Sequence, residues 1–249
     1  MIDLHSHLLP GIDDGAESLE EAVAMCRLAV AEGCTAMAAT PHQRHPRWWN
    51  DDAEQLAELR RQLQEAVGPE LRILPGAEIH VDSGLLDDLD QLHHGPLLPL
   101  AGTRHVLIEF PRSGLGPTPE GVVHELVVAG WRPLLAHPEL LPWLASDLPR
   151  LAHLVDLGAR LQLTGMSFTG GFGGRARQAA EDLVDAGLAH VVASDAHGIE
   201  RRPPGLQAAF QRLAERWDEE LARALTFDNP AAVLADQPLP AEVHAAEAH

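Results

Sequence analysis

The sequence predicts an α/β fold, a distorted seven-stranded (β/α)7 barrel of the TIM type. Apolar, β-prone runs alternate with helical patterns along most of the chain, as in parallel sheets with helical crossovers. Six of the seven runs end in a histidine or a carboxylate. No glycine-rich dinucleotide motif follows the first run, which weakens the alternative of an open doubly wound sheet. The strand candidates are residues 2–5, 35–39, 72–79, 105–110, 133–136, 160–163 and 190–193.

The first strand candidate opens the chain in "MIDLHSHLLPGIDDG". Ile2 and Leu4 alternate with Asp3 and His5, which is the period of a strand. His5 and His7 are two residues apart, so a strand would direct both imidazoles to one face. The pair is therefore either a surface accident or half of a metal site.

The helical patterns between the strands share one plan. In "SLEEAVAMCRLAVAEG", Ser18 and Glu21 have the spacing of a capping box, and Gly33 is a C-terminal stop signal. Four more segments are each closed by glycine in the same way: "DDAEQLAELRRQLQEAVG", "GVVHELVVAG", "LPRLAHLVDLG" and "GRARQAAEDLVDAG".

Length and hydropathy predict one large domain. The chain has 249 residues, of which 45% are hydrophobic, enough for a sizeable core. No apolar run reaches the roughly 18 residues of a membrane span, and the N-terminus lacks a signal-peptide pattern, so we expect a cytoplasmic protein. We predict a single domain over residues 1–235, ending in helical stretches near 205–225 and 230–235, and a flexible tail over residues 236–249.

Charge and residue usage exclude several function classes. The net charge of −19 argues against nucleic acid as a partner, and an anionic substrate would need a local positive centre such as a metal ion. All 18 basic residues are arginine, which excludes Schiff-base chemistry and a carbamylated lysine. The two cysteines, Cys26 and Cys34, fit core packing better than a disulfide framework or a zinc cluster.

Polar side chains collect where the predicted strands end. In a barrel the carboxyl ends of the strands converge on the face that carries the active site. Mixed imidazole and carboxylate donors suit Zn²⁺, Mn²⁺ or Fe²⁺, and nine donors with one bridging carboxylate fit two or three ions. The candidate metal ligands are His5, His7, Asp14, His42, Glu78, Glu109, His137, Asp195 and His197.

Each candidate also has a structural interpretation. One His-x-His pair alone is weak support, Glu109 could be a buried paired carboxylate, and Asp13 and Asp14 could serve a turn. His80 shares a strand face with Glu78 and stays open. The remaining histidines, better explained as surface or supporting residues, are His45, His93, His94, His105, His124, His153, His190, His244 and His249.

Seven stretches in order resemble one family. They are "DLHSHLLPGIDDGAESLEEA", "ATPH", "GAEIHVD", "LIEFP", "AHPE", "LQLTGMSFTGGFG" and "ASDAH". With them the chain resembles the polymerase-and-histidinol-phosphatase (PHP) family, and more closely its bacterial manganese-dependent protein-tyrosine phosphatases of capsule and exopolysaccharide clusters.

The resemblance implies a seven-stranded barrel with a three-ion site, with Mn²⁺ expected first and Fe or Zn²⁺ as alternatives. It implies a metal-bound hydroxide and no cysteine nucleophile, acting on phosphotyrosine in the C-terminal tail of a bacterial tyrosine kinase. It places Asp195, His42, Arg201 and Arg202 closest to the reaction. The implied ligand sets are His5, His7, Glu78 and Asp195 for the first ion, Glu78, Glu109 and His137 for the second, and Asp14, His42 and His197 for the third.

The chain departs from the family at one position. The family usually continues the fifth-strand motif as "HPER", with an arginine that helps to bind phosphate, and here Leu140 follows "HPE". The position is therefore either vacant for phosphate binding or replaced by another arginine. The candidates are Arg44, Arg47, Arg112 and Arg175.

Three functions remain open on the sequence. The first is a phosphotyrosine-protein phosphatase, favoured by "GIDDGA". The second is a small-molecule phosphomonoesterase of the histidinol-phosphate type, which the same metal set would serve. The third is a weakly active regulatory binding module, which Leu140 keeps open.

Overall fold

The computed structural model describes residues 1–245, and it arranges them as short parallel strands surrounded by helices. Most predicted strands are present within one or two residues of their expected ends. In the described part the strands are β1 (Ile2–Asp3), β2 (Ala36–Ala39), β3 (His42–Gln43), β4 (Arg72–Pro75), β5 (Glu78–His80), β6 (His105–Glu109), β7 (Arg132–Ala136), β8 (Arg160–Thr164) and β9 (Val191–Ala193).

Helices connect most successive strands, β2–β3 and β4–β5 excepted, and complete the C-terminal part. Short 3-10 turns lie at Leu85–Asp88, Leu100–Gly102 and Pro138–Leu140, and a π-helical turn spans Ala224–Asp228. The α-helices over residues 1–245 are α1 (Leu19–Ala31), α2 (Ala53–Val67), α3 (Gln91–His94), α4 (Pro119–Val128), α5 (Leu148–Asp156), α6 (Gly165–Thr169), α7 (Gly174–Asp185), α8 (Gln207–Arg216), α9 (Glu219–Arg223) and α10 (Asn229–Leu234).

The strands form two parallel sheets. One has the order β1-β2-β4, and the other has the order β3-β5-β6-β7-β8-β9. The prediction of seven continuous strands in a closed barrel is not confirmed, since the described residues form no closed barrel. The expected strand over 72–79 is interrupted, and a short strand that was not predicted, β3, follows β2; at both breaks the chain continues in the other sheet.

Both interruptions have a local cause. Between β2 and β3 the chain passes through Pro41, which has no N–H to donate to a neighbouring strand. Between β4 and β5 it passes through Gly76, where a Cβ atom would lie 3.1 Å from the Leu100 side chain and 3.2 Å from that of Thr40. At these two points the polypeptide crosses from the three-stranded to the six-stranded sheet.

The segments that follow β1 and β9 lie side by side. The amide of Asp195 donates to the carbonyl of His5 at 2.8 Å, and the amide of His7 donates to the carbonyl of Ala196 at 2.8 Å. Only an isolated bridge between Ser6 and Ala196 marks this contact. It brings the carboxyl ends of the first and last strands together.

Three apolar clusters hold this arrangement. The largest packs α4, α5, α7 and α8 against the outer faces of β6 to β9, and a second packs α1 and α2 against β2 and β4. A third, inner cluster joins side chains of β1, β2, β6, β7 and β9 to α10. Cys26 and Cys34 lie buried in the second cluster, where burial raises the pKa of each thiol to about 12. Their predicted packing role is confirmed.

The predicted cap of α1 is formed in part. The Ser18 hydroxyl accepts a hydrogen bond from the Glu21 amide at 3.3 Å, as an N-cap does. The Glu21 carboxylate instead accepts from the amide of Glu17 at 2.9 Å, so the reciprocal half of the capping box is missing. Gly33 follows the helix with a φ of +86°.

The segment after residue 235 runs along the amino ends of the strands. The amide of Val243 donates to the carbonyl of Gly187 at 2.9 Å, and the Arg160 guanidinium donates to the carbonyl of Leu239 at 3.2 Å. Leu239 and Val243 are both buried. Residues 246–249 lie outside the described part of the chain, and the predicted flexibility of 236–249 stays a prediction.

Candidate metal centre

A cavity of about 490 Å³ opens at the carboxyl ends of the strands. His5 and His7, two of the nine predicted ligands, lie fully buried beneath it. The structure therefore brings all nine predicted ligands to one place. Those that line the cavity are Asp14, His42, Glu78, Glu109, His137, Asp195 and His197.

The deepest part of the cavity is a set of two imidazoles and two carboxylates. The Nε2 atoms of His5 and His7 lie 3.3 Å apart. The His5 Nε2 atom is 3.4 Å from carboxylate oxygens of both Glu78 and Asp195. The His7 Nε2 atom is 3.4 Å from Glu78 and 3.6 Å from Asp195. These four are the set that the resemblance implies for the first ion.

A second group lies nearer the mouth of the cavity. An oxygen of Asp14 is 3.4 Å from the Nε2 atoms of both His42 and His197. His7 is close enough to join these three as a further donor. Asp14 is half-exposed, whereas His42 and His197 are almost fully buried. This group contains the predicted third set.

The predicted second set is arranged differently. The His137 Nε2 atom lies 2.8 Å from Glu78, but its donor grouping is with His5 and Asp195. Glu109 groups with His42 and Glu78 instead. Glu78 contacts at least one histidine of each group, so it is the best candidate for a carboxylate shared between ions.

The separations fit a shared cation better than direct hydrogen bonds. Two ligands that are each about 2.1 Å from one ion lie roughly 3.0–3.4 Å apart in octahedral or tetrahedral geometry. Most donor pairs around Glu78 and Asp14 are spaced 3.0–3.6 Å apart in the same way, whereas His137 and Glu78 lie at the hydrogen-bond distance of 2.8 Å. The donor set therefore fits divalent cations.

Two supporting residues orient the deepest histidines. The Nδ1 atom of His5 lies 2.8 Å from the Gln162 side-chain oxygen, and that of His7 lies 2.8 Å from Asp13. Each contact leaves Nε2 facing the other donors, as outer partners of metal-bound histidines do. Sequence reasoning treated Asp13 only as a turn residue, which it also is, since it accepts from the Gly15 amide at 2.9 Å. It missed Gln162.

The carboxylates dominate the electrostatics. Burial alone would lower the pKa of each imidazole, but Asp13 raises the pKa of His7 to about 9. Against the same effect of burial, Glu78 raises the pKa of His42 to about 11 and that of His137 to about 10. Burial likewise opposes ionisation of Glu78, yet the surrounding imidazoles hold its pKa well below its usual range. The site thus attracts positive charge.

Two of the candidates sit on an unusual backbone. His137 has a φ of +36° and Asp195 a φ of +52°, a region that non-glycine residues rarely adopt. Such conformations persist where the surroundings hold them, and they cluster at functional sites. His137 follows β7 directly and Asp195 follows β9 after Ser194, and both side chains line the cavity.

The arginines differ in their position. Arg202 reaches the site, since its guanidinium donates to the Asp195 carboxylate and lies 3.2 Å from the His197 Nε2 atom. Arg201 is exposed and lines a neighbouring cleft of about 660 Å³ instead. Arg44 is buried in ion pairs with Asp82 and Asp88 at 2.8 and 2.6 Å, so it has a structural role.

Four arginines were candidates to replace the family arginine that is absent at position 140, and two of them line the cavity. Arg47 and Arg112 are exposed at its mouth, together with Leu140, whereas Arg44 and Arg175 are not among the lining residues. Together with Arg202, the cavity has three guanidinium groups.

Aromatic side chains complete the wall near His42. The Trp48 ring stacks on His42 with centroids 5.3 Å apart and on His45 with centroids 4.7 Å apart. The His80 ring meets that of His45 edge-on, with centroids 5.2 Å apart, and its Nδ1 atom lies 3.2 Å from Glu109. His45 and His80 thus support the candidate ligands, and sequence reasoning had left His80 open.

Comparisons with known proteins agree with this site. The chain is 36% identical over 229 residues to the tyrosine-protein phosphatase YwqE of Bacillus subtilis, a match that covers 91% of this chain and 89% of that protein. It is 31% identical over 245 residues to the tyrosine-protein phosphatase CpsB of Streptococcus pneumoniae, covering 95% and 99%.

The fold matches a solved relative. The crystal structures of YwqE from Bacillus subtilis and CpsB from Streptococcus pneumoniae, described as unique metal-dependent tyrosine phosphatases, include a chain that superposes with a TM-score of 0.90. That match has 32% identity and covers 99% of this chain and all of the other. Within residues 1–245, no helix is both long and apolar enough to span a bilayer.

A family model describes nearly the whole domain. The model for capsular polysaccharide synthesis, CpsB/CapC, matches residues 1–235. The chain therefore belongs to the CpsB/CapC family of capsular polysaccharide synthesis proteins.

Proposed function

We propose that this protein is a metal-dependent protein-tyrosine phosphatase, a phosphoric monoester hydrolase that acts on phosphotyrosine. One observation carries the proposal: nine imidazole and carboxylate side chains converge under a single cavity that also contains the guanidinium of Arg202. The relatives named tyrosine-protein phosphatases, which match this chain over most of its length, support the same activity.

The nine converging side chains would hold two or three divalent ions, with Mn²⁺ expected first and Fe or Zn²⁺ as alternatives. Bound ions lower the pKa of a water molecule and neutralise charge on a phosphoryl group. Glu78 faces His5, His7 and His42, so it would contribute a ligand to more than one ion.

The chain's own residues would bind and position the phosphoryl group. Arg202 can offer guanidinium N–H groups to phosphate oxygens, because Asp195 and His197 hold its guanidinium against the cavity. Asp195 faces both His5 and His197, and His42 faces both Asp14 and Glu78, so these two residues connect the donor groups. We assign to them the orientation of the attacking water relative to the phosphorus. Arg201, in the neighbouring cleft, has no contact with that centre and would act on the substrate outside the phosphate.

We further propose that the substrate is the phosphorylated C-terminal tail of a bacterial tyrosine kinase, met in the cytoplasm, and that nucleic acid is not a partner. The family resemblance and the net charge of −19 support these assignments. We also propose that the two sheets together correspond to the distorted barrel that the resemblance implies. The hydrogen bonds between the segments after β1 and β9 support this view.

Rates on two substrates test the proposed function. Purified protein, stripped of metal and then loaded with Mn²⁺, Fe²⁺ or Zn²⁺, is given a phosphotyrosine peptide or histidinol phosphate. We expect metal-dependent turnover that is faster on the peptide. Faster turnover of histidinol phosphate would instead identify a small-molecule phosphatase. Tight peptide binding without turnover would identify a regulatory module.

A further inference from the structure

Part of the lining of the cavity above the candidate metal centre is apolar. Leu140 ends the short 3-10 turn Pro138–Leu140, three residues after His137, and its side chain is half-buried against the cavity. Its neighbour Leu141 is buried in the largest apolar cluster. Leu141 thus anchors the turn in the core and borders the cavity, and Leu140 is the more exposed leucine of the two at the cavity.

A second apolar side chain reaches the same cavity from another loop. Phe172 lies between α6 and α7 in a glycine-rich segment, and it lines both the cavity and the neighbouring cleft. The Arg202 guanidinium carbon lies 5.5 Å from the centre of its ring. A phosphate bound by Arg202 would therefore have its ester group beside an apolar surface.

We propose that Leu140 and Phe172 form an aryl-binding wall that contacts the phenyl ring of phosphotyrosine. The inference rests on the proposed function and names the substrate feature that the site selects. In an aryl phosphate the ester oxygen is bonded directly to an aromatic carbon, so the ring begins immediately beside the phosphate. In an alkyl phosphate such as phosphoserine the corresponding position is a single methylene, which covers much less of an apolar wall.

This wall gives Leu140 a role in substrate binding, so the leucine need not mean that a phosphate contact has been lost. Arg47, Arg112 and Arg202 already line the cavity. An arginine at position 140 would add a fourth positive charge and remove apolar surface that an aryl ring can bury. Burial of apolar surface favours the aryl ester over the alkyl ester at the same metal centre.

The ratio of kcat/KM for a phosphotyrosine peptide to that for the matched phosphoserine peptide tests the wall. We expect this ratio to fall about five- to tenfold in Leu140→Ala and in Phe172→Ala, because each truncation removes apolar contact available only to the ring. Leu140→Met, which keeps a similar apolar volume, should keep the ratio within about twofold. Leu28→Ala removes a partly exposed leucine of α1 and serves as the matched control.

Circular dichroism and metal content confirm that each variant is folded and loaded. An unchanged ratio in both alanine variants would overturn the aryl-binding wall and leave the proposed phosphatase activity standing. A higher kcat/KM for phosphotyrosine in Leu140→Arg would also overturn it, since position 140 would then be a vacant phosphate site. A wild-type protein that hydrolyses neither peptide would contradict the phosphatase proposal and the wall together.

Discussion

Buried histidines lie at both ends of the strands, and their pKa values are shifted in opposite directions at the two ends. At the carboxyl ends, carboxylates outweigh burial and raise the pKa of His42 to about 11 and that of His137 to about 10. At the amino ends, burial together with a nearby arginine lowers the pKa of His105 to about 4, and burial lowers that of His190 to about 4. The same side chain, similarly buried, thus favours its charged form at one end and its neutral form at the other.

The difference lies in what surrounds each imidazole. His190 is held by neutral backbone groups: its Nδ1 atom accepts from the Leu161 amide at 3.1 Å, and its Nε2 atom lies 2.9 Å from the Ala241 carbonyl. His42 lies between Asp14 and Glu78. One end is therefore built to concentrate cations and the other to hold the chain together. Substitutions at the two ends should separate activity from stability.

The largest effect is expected at the carboxyl ends. His5→Ala and Asp195→Ala each remove a donor shared within the deepest set, and we expect phosphatase activity to fall by at least about 100-fold with the fold retained. His153→Ala, on the exposed face of α5, is the matched control. Activity assays with circular dichroism measure both. Near wild-type activity in His5→Ala would remove this residue from the metal centre.

Removal of metal should destabilise the protein. An ion that binds only the folded state adds about 2.7 kcal/mol to the free energy of unfolding when its free concentration is 100 times its Kd. A chelator should therefore lower Tm, and Mn²⁺ should restore it. His5→Ala should show a smaller shift than wild type, whereas His153→Ala should show the same one. Equal shifts in all three proteins would mean that the ions bind elsewhere.

A pH effect is expected at the amino ends. His190 has a folded-state pKa of about 4, below its ordinary value of 6.5, so its contribution is present above pH 6.5 and is lost as pH falls towards 4. Between pH 8 and pH 5 the loss should be about 2 kcal/mol. His190→Gln, which does not titrate, should lack this part of the pH dependence.

Urea unfolding of both proteins at several pH values checks the His190 effect. The difference between the two curves isolates His190, because His105 and the carboxylates titrate in both. Parallel curves would show that His190 is not held neutral.

The smallest effect on stability is expected at Asp236, where the C-terminal segment forms ion pairs beside the amino ends of the strands. Asp236 accepts hydrogen bonds from Arg104 at 2.9 Å and Arg132 at 3.1 Å, but its side chain is 38% exposed. Partly exposed ion pairs contribute little, so Asp236→Ala should lower the free energy of unfolding by about 0.5–1 kcal/mol. Phosphatase activity should be unchanged, since the contact lies opposite the cavity.

Much of the candidate site could be predicted because its imidazole and carboxylate residues lie at the carboxyl ends of strands. His5, Glu78 and Asp195 are far apart in sequence, yet parallel strands bring their carboxyl ends to one face whatever the loops between them do. Gln162 could not be found in this way. It is a neutral residue inside a strand, and its partner His5 is 157 positions away.

The fold was predicted less completely for local reasons. Pro41 was a visible signal of a strand break, but where the chain re-pairs after it depends on the neighbouring sheet. Gly76 marks the second break through a close approach to Leu100, which the sequence does not show. The contacts of Leu239 and Val243 were missed because a proline-containing stretch without periodicity carries no helix or strand signal.

The stacking of Trp48 on His42 has an optical consequence. The chain has five tryptophans and no tyrosine, so its emission comes from indole rings when it is excited at wavelengths that phenylalanine does not absorb. Trp48 lies 5.3 Å from a candidate ligand, measured between ring centroids, and lines the cavity itself. Its fluorescence should therefore change when an ion or a phosphoryl group arrives beside it, and a Trp48→Phe protein should lose that signal. The molecule carries a built-in reporter for titrating its own site without a label.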